Sequence, residues 1–190
     1  TSVLMSLAKL CAGDDGDIFV IGAEQYCVKW KTIQGHVTFM ASNTPVERQR
    51  GFTSDMDDVF GEHKRAQRAN PGWENEKNWR DIAGSIKPLC IVMDDADQWF
   101  DMERVDQQLA KQIAAAVRLG SKYRIHVLLS TQANGSSLAE NIRMFTQNSH
   151  IITTGNTLST FDPWNCALRY DRQNEYMKPG EGFIVPENRF

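Results

Sequence analysis

The sequence predicts an α/β domain: a largely parallel sheet with flanking helices. Three observations carry that prediction. Asp17 to Gly22 (DIFVIG), Leu89 to Met93 (LCIVM) and Ile125 to Thr131 (IHVLLST) are short runs, apolar almost throughout, as strands are when a sheet is buried on both faces. The stretches between them carry helical spacing, and parallel neighbours need such crossovers because a tight hairpin cannot join them. The run at Leu89 to Met93 leads straight into Asp94-Asp95, so the strand delivers two carboxylates to the carboxyl edge of the sheet.

Taken in order, Thr1 to Cys11 places Val3, Leu4, Leu7, Ala8 and Cys11 at helical intervals, and Asp14, Asp15 and Gly16 end that helix before DIFVIG. Gln34 to Ala41 alternates Val37, Phe39 and Ala41 with His36, Thr38 and Met40, as a strand does. Pro45 at a first helical position and Glu47 in the first turn start a helix through Val46 to Ala69, with Phe52, Met56, Val59 and Phe60 as its inward stripe. Gly51 and Gly61 are points where it could break. Asn70 to Lys87 reads as a loop with a short helix, opened by the Pro71-Gly72 turn and tacked down by Trp73, Trp79 and Ile82.

Beyond the acidic strand end, Met102 to Leu119 is a helix with Val105, Leu109, Ile113, Ala116 and Val117 near one face, stopped by Gly120 and Ser121. A turn at Asn134-Gly135, a short helix over Ser137 to Phe145, and strands at His150 to Thr153 and Gly182 to Val185 complete the order. At 190 residues the chain is expected to form a single module with a sizeable core.

Composition narrows the function class only modestly. A formal net charge of −3 with 24% charged residues gives no overall electrostatic reason to bind nucleic acid. Lys64, Arg65 and Arg68 form a local basic surface, but Asp57, Asp58 and Glu62 beside them fit a solvated mixed-charge face. Cys11, Cys27, Cys90 and Cys166 form no CxxC or metal-like cluster. Cys27 and Cys90 sit in apolar surroundings, so buried free thiols and a reducing compartment are expected. No apolar run approaches the ~20 residues of a membrane-spanning helix, and no signal peptide is visible. His36, His63, His126 and His150 show no HxxxH spacing, and no GxSxG elbow supports a serine nucleophile.

In an open parallel sheet, ligands meet the carboxyl ends of strands, most of all where the strand order reverses. Asp94, Asp95, Thr131 and Gln132 form the most economical cluster of that kind. An acid there holds magnesium directly or through water, a second orients water, and Thr131 and Gln132 reach a terminal phosphate. A second reading stays open: Asp94 caps the turn after its strand, and Asp95 or Asp97 caps the next helix. Arg143, in ENIRMF, is either a contact to a neighbouring subunit's phosphate or a helix-surface arginine. The phosphate-binding GxxxxGK[ST] does not occur in the sequence.

DIFVIG, QGHVTFMA followed by HKRAQR, LCIVMDDAD, IHVLLSTQ, ENIRMF and KPGEGFIV, in that order over most of the chain, resemble FtsK/SpoIIIE-type P-loop ATPases. They are most similar to the C-terminal ATPase modules of EccC/EssC-type motors in bacterial type VII secretion. The resemblance implies a RecA-like P-loop NTPase core with LCIVMDDAD as Walker B and IHVLLSTQ as the sensor strand. It implies Thr1 and Ser2 at the end of a Walker A motif, where both bind nucleotide and Thr1 joins Asp94 on magnesium. Asp95 and Gln132 then take catalytic roles, Thr131 contacts nucleotide and Arg143 reaches a neighbour's site.

The first core strand and the P-loop lysine of the family would lie upstream of Thr1, or else belong to a part that this module has lost. Active members carry a glutamate in the acid pair where this chain has Asp94-Asp95, and the shorter side chain positions water poorly. The resemblance therefore implies an ATPase-like module with weak or absent hydrolysis of its own. ATP and Mg2+ would be its cofactors in the complete protein. Its partners would be other ATPase modules and a secreted helical protein, with DNA less favoured. Its place would be the cytoplasm, with membrane association only through a larger protein. A double-stranded DNA translocase module and a non-catalytic structural module are the alternatives.

Overall fold

The computed structural model describes residues 2–33, 35–94, 96, 105–130, 151–154 and 182–185. The chain divides into two compact units, Thr1–Thr131 and Gln132–Phe190, and each is described by itself.

The first unit is built on four parallel strands, β1 (Asp17–Gly22), β2 (His36–Ala41), β3 (Leu89–Met93) and β4 (Ile125–Leu129), in the order β2-β1-β3-β4. Residues pair Ile18 with Val37 and Cys90, and Ile91 with Val127. All five residues of β3 are buried, which accounts for its unbroken apolar sequence: a central strand meets protein on both faces. β2 is half-buried along most of its length, with Met40 its most buried residue, and so retains the alternation of an edge.

Helix α1 (Ser2–Ala12) packs on one face of the sheet. There Leu4, Ala8 and Ala12 meet Ile18, Val20, Cys90, Val92 and Trp30, with Val37, Phe39 and Leu128 at the margin. Trp30 comes from α2 (Cys27–Trp30), a single turn entered through the 3-10 turn Glu24–Tyr26 on the way from β1 to β2. It is fully buried, yet the sequence around it carries no helical period long enough to announce a helix. The same turn removes Cys27 from the buried setting expected for it; Cys27 is half-exposed on α2.

The opposite face is covered by α3 (Val46–Arg68) and α5 (Gln107–Tyr123). Phe52, Met56 and Phe60 of α3 are buried, and the Phe52 ring stands edge-on to Phe19 of β1 at 5.3 Å. Gly51 and Gly61 leave α3 unbroken, because the buried stripe outweighs the roughly 1 kcal/mol that each glycine costs a helix. Pro45 is the residue before its first turn rather than in it. α4 (Trp79–Ser85) is the short helix expected in the Asn70 to Lys87 stretch, and the Trp79 indole donates to Trp73 O at 2.9 Å.

α5 begins at Gln107, later than the pattern from Met102 implied, since Asp106 takes the cap and accepts from the amides of Gln108 and Leu109 at 3.0 and 3.1 Å. Val105 therefore precedes the helix. Leu109, Ile113 and Ala116 are its buried face. The helix runs through Gly120 to Tyr123 and ends on Arg124 in the left-handed region, φ 56°. At Gly120 any Cβ would collide with the Ile125 carbonyl oxygen, so the glycine permits the close approach of helix and strand there.

In the second unit, β5 (Ile151–Thr154) and β6 (Gly182–Val185) pair antiparallel, Ile152 opposite Ile184. The two strands expected near the end of the chain thus pair with each other. The expected helix at Ser137 to Phe145 lies outside the described residues.

Candidate functional site at the carboxyl edge

The connection from β1 leads outward to β2, and that from β3 leads the other way to β4. The strand order therefore reverses between β1 and β3, where parallel sheets open a crevice for ligands. Gly22 ends β1 at this point and Asp94 follows β3. A Cβ on Gly22 would stand 3.4 Å from Asp94 Cβ and 3.7 Å from Phe39 Cε2, so the two positions share a face of the sheet. That face is the one on which α1 packs.

Asp94 is held through both its backbone and its side chain. Its amide donates to Ile21 O at 2.8 Å, and its Oδ1 accepts from the Ser130 hydroxyl at 3.0 Å. Ser130 is fixed in turn: its amide donates to Met93 O at 2.9 Å, and its carbonyl accepts from Ala96 N at 2.8 Å. Asp94 is buried, 7% exposed as a residue, and its carboxylate is oriented by a neutral hydroxyl. Such an acid stays acceptor-only when ionised and suits a hard cation taken directly or through water.

α1 runs from Ser2 to Ala12 and turns into β1, so Ser2 lies toward the carboxyl edge. Its exposed hydroxyl accepts from Lys29 Nζ of α2 at 3.0 Å. An ammonium is thereby set at the positive end of a helix, a combination that favours anions. Neither Lys29 nor Ser130 was singled out from sequence. Ser130 was visible as a hydroxyl closing IHVLLST, whereas Lys29 lies in a segment without periodicity.

Buried Gln49 connects the other side of this edge. Its Nε2 donates to Thr44 O at 2.8 Å and its Oε1 accepts from Asp106 N at 2.9 Å, linking the end of β2 to the cap of α5. Asp106 is that cap; Asp95 and Asp97, read from the sequence as candidate caps of the next helix, lie outside the described residues.

Of the residues read from sequence as site candidates, Asp94 and Ser2 are described. Thr1, Asp95, Thr131, Gln132 and Arg143 lie outside the described residues. Lys64 and Arg68 are exposed and lie over the rings of Phe60 and Trp73 at 5.8 and 5.7 Å, consistent with a solvated face. His63 is buried and contacts Tyr123 O through Nδ1 at 2.8 Å; burial pulls its pKa below the ordinary histidine value.

Among the described residues no three His, Cys, Asp or Glu side chains gather as a metal cluster, and no helix is long and apolar enough to cross a membrane. A carboxylate and a hydroxyl are hard oxygen donors, the chemistry that magnesium prefers, and Asp94 and Ser130 bring one of each together.

No family model matches the chain, and no curated protein matches it in sequence. Among solved structures it is similar to one described as the cytoplasmic domain of EssC, with 15% identity and a TM-score of 0.62. The likeness covers 90% of this chain and 32% of that one, so the chain spans about a third of the protein it matches. At such identity the likeness concerns the fold alone, a helix-flanked parallel sheet.

Proposed function

We propose that the chain is an ATPase-like module of a bacterial protein-secretion motor of the FtsK/SpoIIIE type. In this reading the carboxyl edge binds Mg-nucleotide or a regulatory partner, and hydrolysis by these residues alone is weak or absent. The observation that carries the proposal is Asp94: a buried acid at the strand reversal, oriented by Ser130 and on the face that α1 covers. The RecA-like fold and the order of sequence pieces support the same reading.

Asp94 would hold magnesium through its carboxylate, with Ser130 as a positioning residue, and Thr1 and Ser2 would contribute hydroxyls at the start of α1. The ion would neutralise charge on the phosphates. Lys29, already at the α1 terminus, would add positive charge beside them. Asp95 and Gln132 would orient water and Thr131 would contact the terminal phosphate. Arg143 would reach the site of an adjoining module. Other ATPase modules and a secreted helical protein would be the partners, at the cytoplasmic side of a membrane-anchored assembly. The net charge of −3 weighs against duplex DNA as the cargo.

Mg-ATP titration of the full-length parent protein tests this reading. The substitution Asp94→Asn keeps size and removes charge, and should weaken Mg-ATP binding about tenfold or more, with a smaller loss for magnesium-free ATP. Absence of nucleotide binding in the parent protein would sink the assignment. Capture of duplex DNA in preference to a helical export substrate would replace secretion with DNA translocation.

A further inference from the structure

The large apolar side chains that stand half or more exposed among the described residues are Val3, Leu10 and Val28, at 50, 79 and 78%. All three belong to α1 and α2. Val3 and Leu10 are seven residues apart, two turns and about 10 Å along one stripe of α1. Leu4, Ala8 and Ala12, on the other side of that helix, meet the sheet. α2 lies close enough for Lys29 Nζ to reach Ser2 Oγ at 3.0 Å. Between α1 and the residues that follow α2, a cavity of about 400 Å³ is lined by Met5, Ser6, Lys9, Thr32 and Ile33.

The lining is apolar with one sign of charge. Met5 and Ile33 rest on the buried cluster that contains Trp30. The Ser6 and Thr32 hydroxyls donate to Ser2 O and Lys29 O at 3.3 and 2.7 Å, so their hydrogens are spent on their own turns. Lys9 lines the cavity and Lys31 stands one residue before Thr32; both are exposed, and neither is ion-paired among the described residues. Asp14, Asp15 and Glu24, the nearest acids along the chain, lie beyond the end of α1 and ahead of α2.

We propose that the groove between α1 and α2 docks a short amphipathic helix of another polypeptide, with apolar side chains on one face and carboxylates beside them. Two helical walls offer no strand edge, so an extended segment would bring backbone groups that the groove cannot pair, whereas a helix arrives with them paired. Apolar residues of the incoming helix would fill the space above Met5 and Ile33 and meet Val3, Leu10 and Val28. Its carboxylates would face Lys9 and Lys31, which supply the charge complementarity. A second copy docking by the same face would set these lysines against their equivalents. A lipid surface is met by the outward apolar face of a helix rather than by a cavity between two. The docking holds whichever ligand the carboxyl edge takes.

The test selects binders to the full chain from a displayed library of helical peptides randomised along one face. Enriched peptides should combine Leu or Ile at helical spacing with flanking Glu or Asp, and a synthetic copy of the best should bind more weakly as salt rises. Leu10→Glu should weaken that peptide about tenfold or more, whereas Leu119→Glu, at an exposed position of α5, should leave it unchanged. Lys9→Glu should lose the acidic peptide and gain its counterpart with Lys in place of Glu, a reversal that misfolding does not produce. No enrichment, enrichment without acids, or binding indifferent to Leu10→Glu and Lys9→Glu would overturn the proposal. So would phosphatidylserine-vesicle binding, or self-association of the chain, that Leu10→Glu abolishes while the peptide does not compete, since the groove would then serve a membrane or a second copy.

Discussion

The two edges of the four-stranded sheet are finished in opposite ways. Helices that cross between parallel strands start at the carboxyl edge and end at the amino edge, so the positive ends of their dipoles gather on one side and the negative ends on the other. At the amino edge the chain answers with donors and cations. Arg124 Nη1 donates to Gly84 O and Ile86 O at 2.9 and 2.7 Å, at the end of α4. His63 and Gln67 reach the carbonyls of Tyr123 and Lys122 at the end of α5, and Lys87 meets Asp17 at 2.9 Å. At the carboxyl edge stand Asp106 on its helix cap, Gly22 without a side chain, and Asp94, whose Oδ1 accepts from Ser130. One edge is sewn shut, and the other presents an oriented acid beside a glycine.

Substitutions at the two glycines give the largest contrast. Gly120→Val at the amino edge drives a side chain into the Ile125 backbone and should cost about 3 kcal/mol, read from the urea midpoint. Gly22→Ala at the carboxyl edge adds a methyl at ordinary contact distance and should stay within about 0.5 kcal/mol of the parent. Equal losses would break the distinction between a closed and an open edge.

Arg124 comes next. Arg124→Ala removes both bonds to the α4 carbonyls and should cost about 2 kcal/mol. Arg124→Gly loses the same bonds but relieves the left-handed backbone, and should be about 1 kcal/mol less damaging. Identical losses would show that the backbone conformation contributes nothing.

His63 makes the amino edge sensitive to acid. Burial lowers its folded pKa below the ordinary value near 6.5, so the unfolded chain takes up the proton first. Its contribution is fully present above about pH 6.5 and declines as pH falls below that value. Stability measured from pH 7.5 to 5 should fall in the parent and fall less steeply in His63→Gln. The smallest effect belongs to Lys87→Ala: the Lys87 side chain is 45% exposed, and losing its ion pair should cost under about 0.5 kcal/mol by thermal denaturation.

Much of this architecture was legible locally. β3 was bounded correctly because a strand buried on both faces must be apolar at each position, and α3 because its Phe52, Met56 and Phe60 recur at the helical period. Asp94 was visible for the same reason, as the first charge after such a run. α2 and Trp30 were missed because a single turn offers no period to detect. The start of α5 was placed early because Val105 fits the apolar stripe, whereas the helix begins where Asp106 can accept two amides.

The sequence by itself determined which segments become strands and the longer helices, since burial on one face or two writes its period directly into the residue types. It also determined that an acid follows the central strand. Only the tertiary structure decided that β1 and β3 are neighbours with their connections departing in opposite directions, which puts Asp94 at the reversal of strand order. It alone set Ser130 on that carboxylate, 36 residues along the chain. Such contacts depend on how elements cross in space, and a period along the chain carries no record of that.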